Sequence, residues 1–202
     1  MMLRGYTKPT RGNGLLEGFL AKKRAEIVDQ LIPLESRNGR LLDVGCGTYP
    51  YFLENTHFRE KFGVDKGIDA KFARPDSLSL INFNLEDDDR LPFNDGYFEA
   101  VTMLAVIEHF KPERAVRIVR ECQRVLKDGG QLIITTPALW TEKLLRGMAM
   151  LRLVSSEEIA EHKDTYNHSK LAALFCSAGF SGQKMRFGFF EIYMNIWAMV
   201  AK

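Results

Sequence analysis

Apolar and polar positions follow two rhythms along this chain. Short apolar runs at Leu41-Leu42-Asp43-Val44, Lys61-Phe62-Gly63-Val64-Asp65, Ser79 to Phe83, Phe98 to Leu104 and Gln131 to Thr136 read as strands buried on both faces. Between them apolar residues recur at helical spacing. They fall at 16, 19, 20, 27, 28 and 31 within Leu15–Leu31, and at 115, 118, 119, 122, 125 and 126 within Pro112–Leu126. Lys22, Lys23 and Arg24 take the other face of the first helix, as solvated cover or as a basic contact for an anionic substrate. Pro50 suits the first turn of a short helix after the first strand. Asp128-Gly129-Gly130 terminates the long helix, and Asn167 caps another from His168 to about Ser177, stopped by Gly179. Two strands near 181–187 and 191–201 close the chain. The order βαβαβαβαβ followed by a strand pair predicts a doubly wound, mostly parallel α/β sheet. Residues 1–14 read as an irregular arm. Residues 139–160 break the rhythm: Leu144, Leu145, Met148, Leu151 and Leu153 alternate with Lys143, Arg146 and Arg152, which predicts an amphipathic helix outside the sheet.

Composition narrows this picture only a little. A length of 202 residues suits one domain over 1–202, divided into an N-terminal arm and helix (1–37), a core (38–137) and a C-terminal part (138–202). The formal net charge of +2, without a basic stripe interleaved with aromatics, argues against a nucleic-acid partner. Three cysteines, Cys46, Cys122 and Cys176, lie scattered without metal-ligand spacing and fit reduced thiols in the cytoplasm. No secretory core follows the start. The longest apolar run, Ile192 to Ala201, contains Asn195 and is too short to span a bilayer, so any membrane association is peripheral.

The candidate chemistry gathers at Leu41 to Gly47. An apolar strand ends in Asp43 and turns through Gly45-Cys46-Gly47, where missing side chains let a ligand approach backbone N–H groups. Asp65 ends the second strand, placed to accept hydrogen bonds from ribose hydroxyls. Together these indicate a nucleoside-binding α/β domain. Tyr166-Asn167-His168-Ser169-Lys170 also spells the Tyr-x-x-x-Lys pair of short-chain dehydrogenases, and so supplies a nicotinamide-dependent oxidoreductase as an alternative. Against it, the glycine loop has no G-x-G-x-x-G, and a capping Asn167 would leave Tyr166 outside the helix.

The glycine loop, Asp65, Leu91-Pro92-Phe93, Phe98-Glu99-Ala100-Val101, Ile107-Glu108-His109-Phe110, Glu121 to Gly130 and Ile133 to Pro137 resemble, in this order, the class I S-adenosylmethionine-dependent methyltransferases, in the branch acting on small molecules, quinones and glycans. The resemblance implies a Rossmann-like seven-stranded sheet with its last strand antiparallel. It implies S-adenosyl-L-methionine as cofactor, S-adenosyl-L-homocysteine as product, and binding across the strand C-termini. On that pattern Gly45, Cys46 and Gly47 border the methionine end, Asp43 orients the loop or meets the ammonium, and Asp65 takes the ribose. Asn84 and Leu85 meet the adenine with Glu86 nearby, and Leu104 and Ala105 lie near the sulfonium. The chain departs from the pattern at Tyr49 (for glycine), Asn84 (for Asp) and Ala105 (for the acid of quinone methyltransferases). The last leaves Glu108 and His109 short of a ligand for a metal, and none is expected.

A methyl sulfonium is already an activated electrophile, so alignment of the acceptor matters more than proton transfer. For an alcohol or phenol acceptor a base helps, and the candidates are His109, His162 and Tyr166. The basic and aromatic composition of the flanking elements points to a small or lipid-linked, amphipathic acceptor methylated on oxygen. A noncatalytic regulatory protein that binds the cofactor is the other class that fits.

Overall fold

The computed structural model describes residues 16–68, 77–141 and 163–202. The arm at 1–14, nearly all of the amphipathic segment expected at 139–160, and His162 therefore lie outside the described residues. The strands are β1 (Arg40–Val44), β2 (Glu60–Asp65), β3 (Leu78–Asn82), β4 (Phe98–Leu104), β5 (Leu126–Pro137), β6 (Met185–Phe190) and β7 (Asn195–Ala201). They form one seven-stranded sheet in the order β3-β2-β1-β4-β5-β7-β6. Strands β1 to β5 pair in parallel, and β7 runs antiparallel to both β5 and β6. The strand order reverses between β1 and β4, which places the crevice for a ligand outside their C-terminal ends.

Both faces of the sheet are covered, and residues alternate between them as the pleat requires. Leu42, Val44, Val101, Met103, Leu132 and Ile134 pack on one side with α3 (Pro112–Val125) and α4 (His168–Ser177). Leu41, Ala100 and Ile133 pack on the other with α1 (Glu17–Leu31) and the short α2 (Tyr51–Asn55). In α3 the periodic positions 115, 118, 119, 122 and 125 are all buried, as their spacing predicts. Asn167 caps α4, its Oδ1 accepting from Lys170 N at 2.8 Å. The strand after α3 begins earlier than expected: β5 starts at Leu126, paired with Phe98, and Gly129 bends it at φ 78°.

In α1 the helix is where its periodicity puts it, but the buried face is a different one. Ala21, Ala25 and Val28 face the sheet, while Phe19 is 55% exposed and Leu20 and Ile27 are half-buried. Alanine permits a close approach of helix to sheet, so the small residues take the core and the large apolar stripe faces a groove.

Candidate active site

The crevice between β1 and β4 opens into a cleft of about 300 Å³ whose lining includes Gly45, Asp65, Asn84, Leu85, Glu86 and His109. Gly45 also lines a smaller cavity of about 40 Å³ with Asp43, Cys46, Leu104 and Arg24, so the glycine borders both spaces. Gly45 and Gly47 adopt φ of 79° and 75°, the left-handed region that glycine enters without a Cβ penalty. A Cβ on Gly45 would also come within 2.6 Å of Val106 Cγ2.

Asp65 is 1% exposed, and its carboxylate braces two glycine turns: Oδ2 accepts from Gly47 N at 3.1 Å and Oδ1 from Gly67 N at 2.9 Å. The same residue lines the cleft. Asp43 is also buried, at 3% exposure, and its Oδ1 accepts from Thr102 Oγ1 at 2.7 Å. Burial pushes its pKa up to about 7, with Thr102 opposing the shift and the charge of Asp65 adding to it. A carboxyl poised in this way gains most from a cation brought beside it.

After β3 the chain turns on its own side chains. Asn84 Oδ1 accepts from Glu86 N at 3.1 Å and its Nδ2 donates to Asp87, so its amide is engaged within the loop while still lining the cleft. Arg114 on α3 donates from Nε to the Leu85 carbonyl at 2.7 Å. Glu86 forms an ion pair with Lys163, which lines the same cleft. At the end of β4, Ala105 has φ 55°, an uncommon conformation for a residue with a Cβ, and it follows Leu104 directly.

His109 lies in a 3-10 turn (Ile107–His109), half-buried in the cleft wall. The neighbouring Glu108 carbonyl accepts from Lys163 N at 2.9 Å and Asp164 N at 3.1 Å, which brings residues 163–164 to the cleft. Tyr166 is 2% exposed, bridged to Ala138, with Lys170 Nζ 5.0 Å from its ring centroid. Burial, with the charges of Asp164 and Glu108, holds its phenol well above its usual pKa. Since Asn167 caps α4, Tyr166 stands outside that helix and does not share a helical face with Lys170.

Several lining residues carried no sequence signal of their own. Lys66, Val106 and Lys163 enter the cleft because the topology folds their segments together. Arg24 is different: it belongs to the basic run already noted, and it lines the small cavity together with Asp43. Among the described residues no three His, Cys, Asp or Glu side chains are grouped as a metal site would require.

A second, apolar groove of about 350 Å³ runs between α1 and the β6–β7 hairpin, walled by Phe19, Leu20, Ile27, Phe190, Ile192 and Met194. The hairpin tip carries three successive left-handed residues, Glu191, Ile192 and Tyr193, at φ 52°, 55° and 66°. Such conformations cost about 1–2 kcal/mol per residue with a Cβ. The tip leaves Ile192 88% exposed at the groove's edge.

Residues 16–184 match the family described as a methyltransferase domain. A mouse protein named "Probable tRNA methyltransferase 9B" is 34% identical over 109 residues, which cover 53% of this chain and 24% of that protein. The chain thus spans about a quarter of the length of that relative. A ubiquinone biosynthesis O-methyltransferase from Xanthomonas axonopodis pv. citri (strain 306) is 28% identical over 174 residues, covering 80% of this chain and 71% of that one. The solved SAM-dependent methyltransferase of Archaeoglobus fulgidus has the same fold, with a TM-score of 0.61 at 18% identity over 91% of this chain and 98% of its own. No helix of the described residues is long and apolar enough to cross a membrane. With the sheet order, the glycine turn at the reversal point and the family match in agreement, the chain belongs to the class I S-adenosyl-L-methionine-dependent methyltransferases.

Proposed function

We propose that this chain methylates an oxygen atom of a small or lipid-linked, amphipathic metabolite. The observation that carries the reading is the pair of cavities that share Gly45 in their walls, one lined by Asp65 and the other by Asp43 and Arg24. That arrangement fits a nucleoside bearing an amino-acid tail. Asp65 would accept from the ribose hydroxyls, Asp43 would face the ammonium, and Arg24 the carboxylate. Asn84, Leu85 and Glu86 would border the adenine, and Gly45, Cys46, Gly47, Leu104 and Ala105 the sulfur-bearing part. When bound, S-adenosyl-L-methionine supplies an electrophilic methyl group. His109, on the cleft wall, would take the proton of a hydroxyl acceptor. The phenol of Tyr166, held neutral by burial, would shape the wall rather than act as base.

The acceptor class rests on the apolar groove beside α1. Its walls are the stripe that helical periodicity assigns to the core, and Leu20, which lines the groove, accepts the Nε–H of Arg24, which lines the small cavity. A hydrocarbon portion in the groove would leave the polar end of an acceptor near the cofactor. The names of the ubiquinone relative and of a demethylmenaquinone methyltransferase from Thermotoga maritima, 29% identical over 118 residues, agree with such an acceptor. The small net charge does not favour a polyanion.

The test is to incubate the protein with methyl-labelled S-adenosyl-L-methionine and a cell extract, then fractionate lipids, small molecules, RNA and protein. Base-stable label in an O-methylated lipid or small molecule is expected. Label confined to RNA would overturn the acceptor class, and binding without any labelled product would favour the noncatalytic reading.

A further inference from the structure

The chain between β3 and β4 carries the residues proposed for the nucleoside end of the cofactor, yet residues 83–97 consist of turns and bends. Its shape comes from α3. Three side chains on one side of that helix, Arg114, Glu121 and Arg124, reach across to it. Glu121 accepts from Leu91 N at 2.9 Å, and Arg124 donates to the carbonyls of Phe93 at 2.9 Å and Leu91 at 3.1 Å. Those contacts hold the part of the segment that leads away into β4.

Arg114 holds the part at the cleft. It is 6% exposed, and its guanidinium donates to the Leu85 carbonyl, the Asp88 carbonyl and the Asp89 carboxylate. A guanidinium is tolerated at such depth only when its donors are matched in this way. The Leu85–Glu86 peptide is gripped on its other edge as well, because the Glu86 N–H donates to Asn84 Oδ1. One peptide plane is thus fixed from both sides, and the residues either side of it, Leu85 and Glu86, line the cleft together with Asn84. Arg114 itself is not among the residues lining that cleft.

We infer that Arg114 is a positioning residue for the nucleoside end of the cofactor: through Leu85 and Asn84 it sets the affinity of the cleft for adenine nucleosides. The inference rests on the reading that this cleft holds S-adenosyl-L-methionine. Arg124 supplies the control, since it clamps the same segment from the same helix at a distance from the cleft.

The experiment compares the full-length wild type with Arg114→Met, Arg114→Lys and Arg124→Met. Melting temperature is recorded without ligand, and affinity is measured by titration calorimetry with S-adenosyl-L-homocysteine and, separately, with adenosine. Loss of charge-assisted hydrogen bonds at Arg114 is expected to weaken both ligands about tenfold or more and by a common factor. Arg124→Met is expected to lower the melting temperature while changing either affinity less than about twofold. Arg114→Lys, which keeps the charge with fewer donors, is expected to fold and to fall between wild type and Arg114→Met. Wild-type-like affinity in both Arg114 variants would overturn the inference, as would an equal loss in Arg124→Met. Should Arg114→Met fail to fold, the lysine variant against Arg124→Met decides by the same criteria. A wild type that binds neither ligand would instead remove the cofactor reading of the cleft.

Discussion

Asp43 and Asp65 are two buried carboxyls at neighbouring strand ends with different surroundings. Asp65 braces two backbone turns, whereas Asp43 has one hydroxyl and much burial, which leaves it titrating near 7. Its folded pKa lies above the unfolded value of about 3.9, so its contribution to stability is full below pH 4 and is lost as pH rises to about 7. Asp43→Asn removes that loss. The ligand-free variant is expected to be more stable than wild type at pH 8, by up to about 4 kcal/mol, with the gap closing toward pH 4 in denaturant titrations. The same variant should bind S-adenosyl-L-homocysteine more weakly. Wild-type affinity should improve as pH rises through about 7 while the variant's stays flat there. Asp65→Ala is expected to weaken S-adenosyl-L-homocysteine about a hundredfold, since it removes hydroxyl acceptors and also the brace on Gly47. An unchanged dissociation constant in calorimetry would take the ribose role from this residue.

Among the elements, the turn after β1 shows how backbone and packing combine. Gly45 is needed both for its positive φ and for the space that Val106 would otherwise contest. Gly45→Ala is expected to destabilise the protein by about 2–4 kcal/mol, combining conformational strain with overpacking. Adding Val106→Ala should relieve the clash but leave the strain, so urea titration should show partial recovery. The motif was legible in the sequence because glycine spacing after an apolar strand is a local signal. The clash with Val106 was not, because that residue arrives from the end of β4. The loop at Asn84 is a similar case. The family resemblance implied an adenine contact there, and the structure adds that the amide already bonds Glu86 and Asp87.

For the molecule as a whole, ligand binding and stability are linked. At a free S-adenosyl-L-homocysteine concentration of about 100 times its dissociation constant, the native state gains about 2.7 kcal/mol. For a chain of this size that is a rise in melting temperature of about 5–10 °C, to be read by calorimetric scanning. NADH at equal concentration is expected to leave the curve unmoved, and a shift with NADH alone would restore the dehydrogenase alternative. The apolar runs, helical spacing and turn residues between 40 and 137 were enough to read a nucleoside-binding α/β sheet and the acid at Asp65, because strands buried on both faces and glycine turns are written locally, while the family came from the resemblance of the ordered motifs. The α1 periodicity misled about orientation, since Ala21 and Ala25 allow closer contact with the sheet than Phe19 and Ile27. Local sequence therefore determined the elements, their order and the glycine turn with its acid. Only the tertiary structure decided which face of α1 is buried, that Arg24 lines the same small cavity as Asp43, that Lys163 reaches Glu86 and that Arg114 grips Leu85, because each joins segments whose proximity depends on how the sheet is wound.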